Sequence, residues 1–200
     1  MMINKFSRLQ CLFIAMAALA FAYPNIAARP TTANESAIQN TVAGGDFALT
    51  DQTGSRFQLH EQRGKVVLLF FGYTTCPDAC PAILAKLASV YKSLGQKKSR
   101  VLTVFISVDP ARDTPEALKK YLAYFPINAA GLTGTKEEID AVVKQYGATY
   151  EIEKSDSALG YHINHSTYLY VIDQSGEVRS RFKHTDKTDL IAAAVQQLIE

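Results

Sequence analysis

The chain has 200 residues, 48% of them hydrophobic and 20% charged, with 21 Lys and Arg against 19 Asp and Glu. That balance suits one globular domain once a short N-terminal segment is set aside, and it offers no basic excess to recruit nucleic acid. The informative residues are few: three cysteines and four histidines.

Residues 1–22 have the form of an export signal. Lys5 and Arg8 supply a basic start, Leu12 to Ala22 an apolar stretch, and Ala20-Phe21-Ala22 an A-x-A cleavage pattern. The alternative is a short membrane anchor. Against it, the apolar stretch falls below the roughly 20 residues a spanning helix needs and breaks at Pro24-Asn25. Cys11 lies inside this segment and leaves with it. Loss of Lys5 and Arg8 brings the basic count from 21 to 19, equal to the acidic count. Residues 23–41 read as a flexible linker, because the polar run Pro30 to Thr41 has neither helical nor alternating periodicity.

A domain is expected over residues 42–200. It opens with a hairpin, Phe47-Ala48-Leu49 and Phe57-Gln58-Leu59 about the turn Asp51-Gln52-Thr53-Gly54. Val66 to Phe71 is unbroken in its apolar character and marks a strand buried on both faces. Directly after it stands Cys76-Pro-Asp-Ala-Cys80-Pro81. A helix is expected from Pro81, with Cys80 at its cap, Leu84, Leu87, Val90 and Leu94 on its buried face and Gly95 as its stop.

Val101 to Val108 is a second buried strand. Asp113-Thr114-Pro115-Glu116 opens a helix through about Tyr124, with Asp113 as its cap and a partner-facing loop residue as the second reading. Lys136 to Tyr146 forms a further helix. Thr167 to Asp173 and Val178 to Phe182 make a hairpin, and Asp186 to Ile199 a closing helix. This order of elements is that of an α/β, thioredoxin-like fold with an additional N-terminal β-hairpin, whose chemistry sits beyond the carboxyl ends of the strands.

Cys76 is placed at such an end. Four positions separate it from Cys80, and in an oxidising compartment a disulfide is the default expectation. The spacing argues for something else. A redox pair is usually C-x-x-C, and at helical i,i+4 geometry the Cβ atoms are about 5 to 6 Å apart, beyond the roughly 3.8 Å that a relaxed disulfide prefers. A metal bridges that gap. A helix N-terminus also lowers thiol pKa values, which serves metal binding and thiol chemistry alike.

His165 supplies a third donor. Thioredoxin-like enzymes place a cis-proline opposite the redox pair, at the start of the facing strand. This chain has no proline after Pro126 and carries Asn164-His165-Ser166 there instead. Two thiols and one imidazole suit a soft, low-coordinate metal, with copper the first candidate, as Cu(I) or as Cu(II) with an added ligand. His60, His162 and His184 read as surface residues, and Asp78 as a solvated loop carboxylate. A structural zinc site wants a fourth ligand that is not evident. Peroxide reduction wants a Thr three residues before the reactive cysteine, where Tyr73 or Pro77 stands.

In these residues the chain resembles the Sco/SenC family of copper chaperones for cytochrome c oxidase. The likeness rests on Phe71-Gly-Tyr-Thr-Thr-Cys76-Pro-Asp-Ala-Cys80-Pro81, Ser107-Val-Asp109-Pro110-Ala-Arg112-Asp113-Thr-Pro115, Gly131-Leu-Thr-Gly134 and His165-Ser-Thr-Tyr-Leu-Tyr-Val-Ile-Asp173. The resemblance implies one copper ion held by Cys76, Cys80 and His165 and delivered to the binuclear copper (CuA) centre of cytochrome c oxidase subunit II. Another periplasmic protein would be the copper donor. The expected location is the periplasmic side of the inner membrane, soluble or held by the N-terminal segment. Two departures stand out: the family often has His at Thr75 and Asp at Asn164, and losing the latter would alter the orientation of His165. Such a protein transfers metal without turnover and is not an enzyme. The rival reading is a thiol-disulfide oxidoreductase that uses Cys76 and Cys80 to keep the oxidase's copper-site cysteines reduced.

Overall fold

The computed structural model describes residues 44–156 and 160–199. The expected signal segment, the linker and the domain start at Val42 lie outside the described residues. Among those described, no helix is long and apolar enough to cross a membrane.

The elements follow as β1 (Ala48–Asp51), β2 (Arg56–Gln58), β3 (Val66–Gly72), α1 (Ala79–Leu94), β4 (Val101–Ser107), α2 (Pro115–Leu122), β5 (Ala129–Thr133), α3 (Lys136–Gln145), β6 (Tyr150–Lys154), β7 (Tyr161–His165), β8 (Tyr168–Ile172), β9 (Val178–Lys183) and α4 (Thr188–Leu198). Seven strands form one sheet in the order β2-β1-β5-β4-β3-β8-β9, and β6 pairs only with β7 in a separate two-stranded sheet. β3, β4 and β5 run parallel, while β8 pairs antiparallel with β3 and β1 antiparallel with β5.

Side-chain alternation along a strand explains the two layers. From β3, Val66, Leu68 and Phe70 pack with Leu84, Leu87 and Val90 of α1, Leu118 of α2 and Ile191 and Val195 of α4. Val67, Leu69 and Phe71 face the other way, onto Ile139, Val142 and Val143 of α3 and Ile163 of β7. Helices on both faces bury β3 and β4 completely, which is why their sequences are continuously apolar. The expected thioredoxin-like fold with its front hairpin is thus what the chain adopts.

Three expectations need correction. α1 starts at Ala79, so Cys80 lies in its first turn and not at its cap. Proline fits anywhere in a first turn, where the backbone N–H has no intrahelical acceptor to lose. α2 is capped by Thr114, whose hydroxyl accepts from the Ala117 N–H at 3.2 Å. Asp113 instead turns inward and is fully buried. Finally, β5 and the β6–β7 hairpin are strands that the apolar pattern does not announce, and His165 ends β7 instead of merely preceding β8.

Candidate metal centre

Beyond Gly72 the chain leaves β3 and turns back on itself, the Cys76 N–H donating to the Tyr73 carbonyl at 3.2 Å. α1 then starts under this turn, and its first turn carries Cys80 into the core. Cys80 is 0% exposed and Cys76 half-buried; both are free thiols. The close approach requires a glycine at 72. A Cβ there would lie 2.5 Å from the Cys80 Sγ and 2.8 Å from the Phe105 Cε2.

His165 arrives from the other side, at the end of β7. Its Nε2 lies 3.7 Å from the Cys76 Sγ and 3.6 Å from the Cys80 Sγ, and the three donor atoms all fall within 4.8 Å of one another. The Nδ1 is 3.0 Å from the Ser166 carbonyl. A carbonyl only accepts, so Nδ1 donates to it, and Nε2 is the ring atom that faces the sulfurs. Ser166 is itself held to Thr149, its N–H donating to the Thr149 carbonyl at 2.8 Å and its hydroxyl accepting from the Thr149 N–H at 2.9 Å. The ring of Tyr73 stands edge-on to His165, with centroids 5.6 Å apart.

The two thiols differ sharply in proton affinity. Hydrogen bonding from the Cys80 thiol, then from His165 and from the backbone N–H groups of Cys80 and Asp78, holds the Cys76 thiol far below the ordinary range, at about 3. Cys80 moves the opposite way, because its proton is shared with the Cys76 thiolate and because burial penalises its charge. The resting pair is one thiolate and one thiol. The helix N-terminus acts here through individual N–H groups aimed at sulfur.

The donor set fits a soft, low-coordinate ion. Metal–sulfur and metal–nitrogen bonds of about 2.3 and 2.0 Å meeting at about 120° place sulfur and nitrogen roughly 3.7 Å apart, which is the spacing present before any ion binds. Among the described residues no other group of three or more such side chains is arranged this way.

The other histidines lie at the surface, as expected. His60 pairs with Asp46, His162 with Glu153 and His184 with the Thr167 hydroxyl. Asn164 donates to Glu153 on the outer face of the hairpin, so its identity does not set the His165 orientation; the Ser166 carbonyl does. The Thr75 hydroxyl is buried beside Cys76 with no hydrogen-bond partner among the described residues. Sequence reasoning missed the buried carboxylates behind the site. Asp109 is 2% and Asp113 0% exposed. Burial pushes the Asp113 carboxyl above its usual range, against the hydrogen bonds from Ser107 and Thr74. The available signal was their position at the end of a wholly buried strand, where a polar side chain must find partners.

Comparison with known proteins sets this arrangement in a lineage. The chain is similar to the SCO2-like protein of Rickettsia felis, 39% identical over 144 residues that make up 72% of this chain and 70% of that protein. It is also similar to the human mitochondrial protein SCO1 homolog, 35% identical over 79% of this chain and 53% of that one. The structure of Bradyrhizobium japonicum ScoI with copper bound superimposes with a TM-score of 0.71 at 35% identity, covering 78% of this chain and 98% of that chain. The SCO1/SenC family profile matches residues 35–200, which take in every described element and all three clustered donors, and this chain belongs to that family.

Proposed function

We propose that the chain is a metallochaperone that takes one copper ion on Cys76 Sγ, Cys80 Sγ and His165 Nε2 and delivers it to the CuA centre of cytochrome c oxidase subunit II during assembly. One observation carries the reading: three soft donors from segments 85 and 89 residues apart meet within 4.8 Å. The copper-bound relative supports the choice of metal. Two thiolates and an imidazole favour Cu(I) and accept Cu(II) with a further ligand.

The protein's part is to present the donors. Cys76 is already ionised, and Cys80 gives up its proton when its sulfur becomes a ligand. The half-exposed Cys76 and the open pocket of about 310 Å³ lined by Thr149, Tyr150, Glu151, Asn164, His165 and Ser166 leave one side of the site accessible. A partner's thiolates enter there by ligand exchange. Subunit II is the proposed recipient, and a second exported copper protein the proposed donor. The periplasmic face of the inner membrane is the proposed location.

The test is copper stoichiometry and affinity on reduced protein, with and without His165. The wild type should retain one Cu(I) per chain and bind Cu(II) with an absorption band from thiolate-to-metal charge transfer. His165→Ala should weaken Cu(II) binding by tenfold or more and fail to support oxidase assembly in cells. Equal binding by both proteins in both oxidation states would remove the three-donor reading.

The pairing of a thiolate with a protonated thiol favours a second reading, reduction of the client's cysteines. The Cys76 thiolate would attack a client disulfide, and Cys80 would then displace the client thiolate, passing two electrons to the client and closing the Cys76–Cys80 disulfide. Retained oxidase assembly in His165→Ala would favour this route.

A further inference from the structure

The ligand-bearing segments belong to different sheets. Cys76 and Cys80 follow β3 of the main sheet, whereas His165 rides on β7, which has no ladder to that sheet. Ser166 and Thr167 join β7 directly to β8, which pairs with β3, so the backbone brings His165 near the sulfurs and side-chain contacts are left to set how the hairpin sits over them.

We propose that the Asp109–Asp113 loop is a strut that sets this placement, with Asp113, Asp109 and Arg112 as positioning residues. The proposal rests on the three-donor reading given above. At one end, Asp113 holds the cysteine segment. Its Oδ1 accepts from the Thr74 hydroxyl at 2.6 Å and its Oδ2 from the Thr74 N–H at 2.9 Å, two residues before Cys76. The Ser107 hydroxyl also donates to Oδ2, at 2.6 Å, which fixes the carboxylate to the end of β4.

The other end grips the histidine strand. Asp109 Oδ1 accepts from the Tyr161 hydroxyl at 2.8 Å, and Asp109 Oδ2 pairs with the Arg112 Nε. Arg112 then donates from Nη1 to the Tyr161 carbonyl at 3.2 Å and stacks its guanidinium 3.7 Å from the centre of the Tyr161 ring. Tyr161 is four residues before His165 and, by the two-residue alternation of a strand, on the same face. The two ends are one piece, because the Asp113 N–H donates to the Asp109 carbonyl at 2.9 Å.

The chemistry explains the residue types. Two anchor points on Tyr161, a carbonyl and a ring face, need a planar cation with several fixed donors, which is arginine and not lysine. A partly buried arginine is held best by a buried carboxylate, and Asp109 is that group. Tyr73 adds a parallel link, its hydroxyl accepting from the Ile163 N–H at 3.3 Å.

Releasing Tyr161 frees His165 from the sulfurs without touching a ligand. The test compares wild type, His165→Ala and Arg112→Met, reduced and loaded with Cu(I) or Cu(II). Arg112→Met should keep one Cu(I), since two sulfurs suffice for it, yet lose at least tenfold in Cu(II) affinity. Its electron paramagnetic resonance should lose the imidazole nitrogen couplings, approaching His165→Ala. Arg112→Lys should recover only part of this. The double variant Asp109→Asn with Arg112→Met avoids burying a lone carboxylate and serves if the single variant does not fold. A wild-type Cu(II) spectrum and affinity in the Arg112 variants, with His165→Ala impaired, overturns the strut and leaves the ligand set standing. A His165→Ala protein identical to wild type overturns the ligand set itself, and the strut with it.

Discussion

Cys76 and Cys80 sit four positions apart and behave as different chemical groups. A thiol with a pKa near 8.5 is ionised to about one part in three thousand at pH 5, and would be inert to alkylation there. Cys76, held at about 3 by its hydrogen bonds, should be alkylated by iodoacetamide at pH 5 while Cys80 is spared. The sign follows from the direction of the shift: a lowered pKa keeps the thiolate populated down to its own value, so the rate should stay level from pH 7 to pH 5 and fall only as pH approaches 3. Peptide mass spectrometry after timed quenching reads this directly. A rate that drops tenfold per pH unit below 8 would mean that the hydrogen bonds to the Cys76 sulfur are not formed. The pair itself was legible in the sequence because its signal is local: a buried strand, a turn, two sulfurs and a proline. Asp113 was misread for the same reason. Asp and Thr are both good caps, and it is the hydrogen bonds from Ser107 and from Thr74, 39 residues earlier, that turn Asp113 inward.

Among the elements, β6 and β7 carry the most consequence with the least support. Ile163 is buried, but Ile152 is 52% exposed and β6 otherwise presents Glu151, Glu153 and Lys154 to solvent. This explains why the hairpin escaped sequence reasoning: each strand alternates only two apolar residues, Tyr150 and Ile152 or Tyr161 and Ile163, with polar ones, a run too short to stand out. β5 escaped differently. Ala129-Ala130-Gly131 are poor strand formers, and Gly131 is there because a Cβ would come within 2.7 Å of the Leu122 Cδ1 on α2. Packing, not propensity, makes that strand. Hydrogen exchange should separate these elements. Without metal, amides in the β6–β7 ladder should exchange at least about tenfold faster than those central in β3 and β4, since few buried contacts secure them. Equal protection would show that the hairpin opens only with the whole domain.

For the molecule as a whole, the fold class follows from features that a single sequence displays well: two long apolar strands, helices with one apolar face and a proline-marked start. The meeting of His165 with the cysteines was inferable because a histidine stands where this fold otherwise places a proline, though its exact strand was not. On the proposed ligand set one ion joins the two sheets, and its binding should have a measurable effect on the domain. Cu(I) at a hundredfold excess over its dissociation constant adds about 2.7 kcal/mol to the folded state. For a domain of this size that raises the unfolding midpoint by roughly 5 to 10 °C. Anaerobic calorimetry should find that gain in wild type and a smaller one in His165→Ala at the same metal concentration. An identical gain would place the ring outside the stabilising contact.

The donors are also far apart in time. Both sulfurs leave the ribosome 85 or more residues ahead of the imidazole, an interval of about 4 to 17 seconds at ordinary rates of translation. Throughout it, the growing polypeptide can offer an oxidant or a stray ion only a bare dithiol. Selective coordination by the proposed three donors therefore has to wait until residue 165 is made.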